Sequence, residues 1–330
     1  MLTLTLCIIF GEGVKILEKG DDEMKYWKTL KDELKKYRIV CWIYTLFYGL
    51  LNGGGVKEER IEDSEYARQN NEYVNESDLN NLDLFLRIDI ETVNRCNGTC
   101  SFCPVNAKEK QRPYAKMSEE LFKKIIDELH DLNYSKELAL FDNNEPFLDE
   151  RIVEFQKYVR ESLPNAFLDL WTNGSLLTLD KFLEIIPYLD RIVIDNYNDE
   201  LYLNPNVKAI SDYIEDKPEL KDKVVIYMRK QNDVLTSRGG LSPNKKDGDY
   251  YIDVKCVLPF QQFNVRPDGK ISLCCNDALG VYTLGDLNKQ SIKEIWYSNE
   301  YMKIRKEMKE NGRKNLKLCS NCDTIGGDFD

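Results

Sequence analysis

The sequence predicts an α/β fold, a parallel sheet covered by helices. Two observations carry this. From about Leu84, short apolar runs alternate with amphipathic helical stretches. The strand-like runs are apolar almost throughout, as in strands buried on both faces. Repeated β–α units of this kind carry their functional loops at the C-terminal ends of the strands. Cysteines and short polar motifs follow those ends here.

Taken in order, Leu84–Ile90 is the first strand. Ser118 is an N-cap followed by acidic first-turn residues, and Leu121, Phe122, Ile125, Ile126 and Leu129 share one face of a helix over 118–132. Glu137–Phe141 is the second strand, Asp149–Ser162 a helix, Ala166–Trp171 the third strand and Thr178–Tyr188 a helix ending near Pro187. Arg191–Asp195 is the fourth strand and Val224–Met228 the fifth. A sixth is expected near Asp233–Leu241, where Gly239 and Gly240 interrupt the pattern. Further on, Gln262–Val265 and Lys270–Cys274 flank Arg266-Pro267-Asp268-Gly269 and read as a hairpin, because Gly269 supplies the positive φ of such a turn. A helix over Ser291–Glu310 follows.

Residues 1–80 read as an accessory α/β region and linker. Leu2–Phe10 and Arg38–Tyr48 are strand-like, Asp21–Tyr37 is a charged amphipathic helix, and Val56–Asn81 is polar and rich in Asn and Glu. Gly11-Glu12-Gly13 echoes a nucleotide-binding turn, but Ile16 stands where its third glycine belongs.

Seven of the ten cysteines fall into two groups. Cys96, Cys100 and Cys103 follow the first strand with C-x3-C-x2-C spacing. Cys256 and Cys274, with Gly269 between them, precede the closing pair Cys319 and Cys322. Three thiolates on one loop leave one iron of a [4Fe–4S] cluster open to another ligand. Four thiolates in two pairs suit either a complete cluster or a structural zinc.

The first run, with Phe102 before its last cysteine, resembles the signature of the radical S-adenosylmethionine (SAM) superfamily. The second resembles the auxiliary-cluster module of SPASM and twitch enzymes in that superfamily. The resemblance implies a partial (β/α)6 TIM-like barrel over residues 81–245 and a small SPASM/twitch module over 246–330. It implies that Cys96, Cys100 and Cys103 bind a catalytic [4Fe–4S] cluster, and that Cys256, Cys274, Cys319 and Cys322 bind one auxiliary [4Fe–4S] cluster. SAM would chelate the open iron and yield a 5′-deoxyadenosyl radical that abstracts hydrogen from a substrate C–H bond. Asn143-Asn144-Glu145-Pro146 stands where this family carries a Gly-Gly-Glu-like motif for the SAM amino group. Thr172-Asn173-Gly174 matches its turn near the methionyl and ribose groups. Asp195 and Asn196 are placed for ribose hydroxyls. Arg229 is placed for the methionine carboxylate, with Arg238 as its alternative or as a substrate contact. Cys275 is expected to face away from Cys274, either as a small hydrophobe or as a hydrogen donor to a substrate radical.

On this reading the substrate is a peptide or protein side chain, with carbohydrate or aminocyclitol oxidation or epimerisation as the alternative. A one-electron donor such as flavodoxin or ferredoxin is an implied partner. The net charge of −11 argues against a phosphate-dominated nucleic-acid interface. The single histidine, His130, argues against histidine-based metal or acid–base chemistry. Met1–Phe10 lacks a basic n-region and Val40–Leu51 is too short to span a bilayer, so no signal peptide or membrane span is expected and the chain reads as cytoplasmic. Cys7 and Cys41 read as small core residues.

Overall fold

The computed structural model describes residues 64–245 and 252–324. The expectations for the two N-terminal strands, the helix between them, Cys7 and Cys41 lie outside those residues.

Helix α1 (Glu65–Glu76) occupies part of the segment expected to be a linker. Its apolar stripe is thin, with Ala67 and Val74 buried alongside Asn70, so its composition conceals it. Ser64 caps it by accepting from the Ala67 amide at 3.2 Å. Tertiary bonds then hold it: the Lys255 amide donates to Asn71 Oδ1 at 2.8 Å, and Lys309 Nζ to the Ser77 carbonyl at 2.6 Å.

The β–α alternation follows as expected. Strand β1 is Arg87–Ile90 and leads into the Cys96 loop. Helix α2 (Glu119–Asp131) is capped by Ser118 and buries the five apolar residues named from its sequence. Strand β2 (Glu137–Ala139), helix α3 (Ile152–Ser162), strand β3 (Phe167–Thr172), helix α4 (Leu179–Ile185) and strand β4 (Arg191–Tyr197) come next. Helix α5 (Pro205–Ile214) was not anticipated, although Pro205 at its first turn and buried Val207, Ile210 and Ile214 at helical spacing mark it. Strand β5 is Val224–Arg229.

No sixth strand forms at 233–241. Arg238, Gly239 and Gly240 all have positive φ, at 52°, 65° and 78°, which ends any extended run. The sheet grows instead at its β1 edge. Strand β6 (Gln262–Val265) pairs in parallel with β1, Arg87 opposite Gln262. Strand β7 (Ile271–Ser272) returns antiparallel to it across the expected turn, with Gly269 at φ 81°. The order is β5-β4-β3-β2-β1-β6-β7. The fold is the α/β class expected, with the hairpin of the C-terminal module continuing the barrel sheet.

The last helix is two: α6 (Ile292–Trp296) and α7 (Asn299–Asn311). Ser298 caps a fresh start, accepting from the Tyr301 amide at 3.3 Å, and this ends the run at Tyr297. Beneath β1 and β6, Phe85 stacks on Phe263 at 4.9 Å and meets Trp296 edge-on at 5.3 Å. The Arg305 guanidinium lies 3.9 Å from the Trp296 ring and 4.4 Å from that of Tyr301. Such aromatic pairs are each worth about 0.5–1.5 kcal/mol beyond their buried area, so this cluster fastens the module to the barrel.

Candidate active site

The strands deliver their C-terminal ends to one cavity of about 340 Å³, within the size range of cofactor and small-molecule pockets. Cys96, Cys100 and Cys103 line it, with Asp142–Glu145 after β2, Thr172 and Asn173 after β3, Asp195 and Tyr197 on β4, and Arg229 on β5. Arg238, Gln262 and Cys275 complete the opposite wall, and Arg87 and Asp89 lie at its base.

The three thiols are free. The Gly98 amide donates to Cys96 Sγ at 3.3 Å, and Asn173 Nδ2 approaches the same sulfur at 3.8 Å. Cys103 precedes a one-turn helix, Pro104–Ala107. Burial, with neighbouring acids and thiols, pushes the Cys96 thiol up to about 11 and that of Cys100 up to about 12. Bare thiolates are disfavoured here, and a bound cationic metal core reverses that balance.

Glu145 is first of all a staple. Its carboxylate accepts from the Phe147 amide at 3.1 Å, Thr172 Oγ1 at 2.8 Å and the Asn173 amide at 2.8 Å, tying the loop after β2 to the turn after β3. Gly174 completes that turn at φ 72°, where a Cβ would meet Ile194 and Val207 at 2.7 Å. Asn173 Nδ2 donates to Asn97 Oδ1 at 2.9 Å, so the same turn is stitched to the cysteine loop.

Asn143 and Asn144 replace glycines of the resembled motif without adopting positive φ. Their side chains do the holding instead. Asn143 Nδ2 donates to Asp142 Oδ1 and to the Cys275 carbonyl, both at 2.9 Å. Its Oδ1 accepts from Arg238 Nη2 at 2.9 Å, and its backbone carbonyl from Arg112 Nη1 at 2.9 Å. Asn144 Oδ1 accepts from the Asp142 amide at 3.1 Å, whereas its Nδ2 is buried without a partner.

Asp195 and Arg229 pair with each other, Nε to Oδ1 at 2.7 Å. Asn196 does not border the cavity; it donates to the Tyr202 carbonyl at 2.9 Å and accepts from the Asn204 amide at 2.8 Å, bracing the loop after β4. His130 is exposed, its Nδ1 2.8 Å from the Ser162 carbonyl oxygen, and is remote in role from the cavity.

Cys256, Cys274, Cys319 and Cys322 are buried free thiols around one small void next to the cavity. Cys274 faces this void and Cys275 faces the cavity, so adjacent residues serve opposite sides. Among the described residues, no three His, Cys, Asp or Glu side chains group as ligands of a single metal ion. Arg313 borders the same void, donating Nη1 to the Cys322 carbonyl at 3.0 Å while its Nη2 is buried and unpartnered. A buried cation there favours an anionic thiolate-ligated cluster, and its charge lowers the Cys256 and Cys319 thiols against the larger upward push of burial.

Sequence reasoning missed Arg112, Asp142, Gln262 and Arg313. Arg112, Gln262 and Arg313 act through partners outside their own motif, and the role of Asp142 comes from what it lacks rather than from a local pattern.

The geometry agrees with what known proteins show. The model of the radical SAM superfamily matches residues 90–216, and that of the iron–sulfur cluster-binding SPASM domain matches 256–323. The S-adenosyl-L-methionine-dependent 2-deoxy-scyllo-inosamine dehydrogenase of Niallia circulans is 27% identical over 242 residues, covering 73% of this chain and 94% of that protein. The crystal structure of BtrN in complex with AdoMet and 2-DOIA is similar with a TM-score of 0.64 at 24% identity, covering 74% of this chain and 95% of that one. BtrN in an open conformation is similar with a TM-score of 0.55 at 21% identity, covering 74% and 94%. The structural likeness shows the shared fold. With both cysteine groups in place and both family models matched, this chain is a radical SAM superfamily enzyme with a C-terminal SPASM/twitch-type iron–sulfur module, and its cofactors are SAM and [4Fe–4S] clusters.

Proposed function

We propose that this enzyme dehydrogenates a secondary alcohol on a small carbohydrate-like polyol. The carrying observation is the placement of Cys275: the cavity wall and the four buried thiols meet at adjacent residues, so an auxiliary cluster would lie directly behind a substrate bound there. The dehydrogenase this chain resembles acts, by its name, on an aminocyclitol, and this supports a compact polyol over the peptide first expected.

We assign the barrel to residues 81–245 and the module to 246–330. Cys96, Cys100 and Cys103 would hold the catalytic cluster, and Cys256, Cys274, Cys319 and Cys322 the auxiliary one. The backbone of Asn143 and Asn144 with the Glu145 acid would hold the SAM amino end, and Thr172 and Asn173 would lie near its methionyl and ribose groups, with Asp195 at the ribose and Arg229 at the carboxylate. When bound, SAM supplies a 5′-deoxyadenosyl radical able to take a hydrogen atom from carbon, and the auxiliary cluster offers an acceptor for the substrate's second electron while the hydroxyl gives up a proton. The protein's own part is to orient the C–H bond, keep Glu145 and its loops rigid, and exclude water. A one-electron donor such as flavodoxin or ferredoxin primes the catalytic cluster. Among the described residues no helix is long and apolar enough to cross a membrane.

The test is anaerobic turnover of reconstituted protein with dithionite, SAM and either 2-deoxy-scyllo-inosamine or a library of short peptides. The expected result is 5′-deoxyadenosine in step with a ketone product from the polyol. Turnover confined to peptides overturns the reading.

Epimerisation is the second reading, favoured by the Cys275 thiol on the cavity wall. Cys275 would return its hydrogen atom to the substrate carbon from the far face, leaving a thiyl radical for the external donor and a proton to restore. Under that reading Cys275→Ala keeps both clusters and 5′-deoxyadenosine formation but loses the inverted product. Under dehydrogenation the ketone persists.

A further inference from the structure

The polar groups lining the cavity are not equally matched. Near the Cys96 loop, each charged group is matched: Asp195 by Arg229, and Glu145 by three donors. At the base of the cavity, Asp89 is matched by Arg87 at 2.8 Å and by Gln262, and behind the lining Glu91 is matched by a two-pronged bond from Arg112. Asp142 is not matched in this way. It is buried, borders the cavity and forms no ion pair among the described residues. Its carboxyl takes only amide donors, Asn143 Nδ2 at 2.9 Å and the side chain of Asn264. Arg238, which bears on it electrostatically, gives Nη2 to Asn143 Oδ1 instead.

Two further atoms of cavity-lining residues are incomplete. Asn144 Nδ2 and Arg238 Nε are buried hydrogen-bond donors without acceptors. Asn144 is 93% buried, with 7% of its surface exposed, and both residues line the cavity. Buried donors are almost always satisfied, so these await acceptors from a ligand. A lone carboxyl beside two open donors matches a molecule that carries a cationic donor next to oxygen acceptors.

We infer that these groups recognise an amino alcohol: the substrate's ammonium group binds Asp142, and a neighbouring hydroxyl oxygen accepts from Arg238 Nε or Asn144 Nδ2. This rests on the polyol reading above and narrows it to amine-bearing polyols. The electrostatic reason is direct. Burial first, then Asp89 and Glu91 nearby, hold the empty Asp142 carboxyl well above its ordinary range. A substrate ammonium supplies the absent countercharge and displaces the proton. The other groups facing Asp142 are Arg238, Cys275, Asn143 and Asn264; of these only Arg238 carries a fixed charge, and its sign and position do not change with pH.

The experiment is equilibrium binding to the reconstituted holoenzyme with SAM, comparing 2-deoxy-scyllo-inosamine with scyllo-inositol as the amine-free probe. The amine is expected to bind about 10- to 100-fold more tightly, the difference between a charge-assisted and a neutral buried contact. In Asp142→Asn that gap should close while the weak inositol affinity stays. In the wild type, amine affinity should rise with pH, as the proton on Asp142 becomes easier to displace, while inositol affinity stays level. Equal wild-type affinities, a gap that survives in Asp142→Asn, or a level amine profile overturns the inference and leaves the polyol reading standing. If Asp142→Asn fails to retain its iron, the wild-type comparison and pH profile decide. Binding of neither probe overturns the polyol reading and the inference with it.

Discussion

Replacing Arg112 by Met separates fold-holding from chemistry at the SAM loop. Arg112 Nη2 donates to both Glu91 oxygens, at 2.7 and 2.8 Å, and Nη1 to the Asn143 carbonyl at 2.9 Å. All three contacts are buried. Removing one partner of a buried ion pair costs about 3–5 kcal/mol where the other charge stays stranded, and less where that group can take up a proton. For a body of this size the full cost is a fall in Tm of about 6–20 °C. The pH dependence gives the sharper test. Burial holds Glu91 at about 7, above its ordinary 4.5, even with Arg112 present. An acid raised in the folded state binds more protons there than when unfolded, so its stabilising contribution is present below about 4.5 and lost as pH rises through about 7. Without Arg112, Glu91 rises further and the loss continues to higher pH. The Arg112→Met penalty should therefore grow from pH 6 to 8, and the double variant Glu91→Gln/Arg112→Met should recover part of it. Anaerobic thermal unfolding of reconstituted protein measures both. A penalty below about 1 kcal/mol, or one that does not vary with pH, refutes the stranded-charge argument.

Three further outcomes are expected. Reconstituted protein should carry about eight iron atoms per chain, falling to about four when Cys96, Cys100 and Cys103 are all changed to Ala, as two four-iron clusters require; stoichiometric zinc with four iron atoms would reassign the C-terminal site. Arg229→Ala should weaken SAM binding about 10- to 100-fold by removing a charge-assisted contact; unchanged affinity would pass the carboxylate to Arg238. Gly240→Ala places a Cβ 2.8 Å from that of Asn321 at φ 78°, so it should loosen the loop bearing Cys319 and Cys322 and lower iron retention in the triple-Cys background; full retention would show that the strap at 237–240 does not support that loop.

Much of this enzyme is written locally. The alternation of apolar runs and amphipathic stretches fixes five barrel strands and the helices α2, α3 and α4 between them, because periodicity reports burial directly. The cysteine spacings, the Pro267–Gly269 turn and the Thr172–Gly174 turn are also local, since each depends on a few adjacent residues. Tertiary structure decided the rest. Helix α1 is too polar to announce itself and exists through Lys255 and Lys309. The break at Ser298 splits a helix whose apolar period runs on. Strand β6 joins β1 rather than β5, because the segment at 233–241 turns away under three positive φ angles and its Ser237 amide bonds Asp323 at 2.7 Å. Asp195 and Arg229 prove to be partners, Asn196 a loop brace and Asp142 an unmatched carboxyl only when chain segments far apart in sequence meet. A sequence fixes which groups are present and which faces are buried. Which charge neutralises which depends on distances across the fold, and those follow from packing.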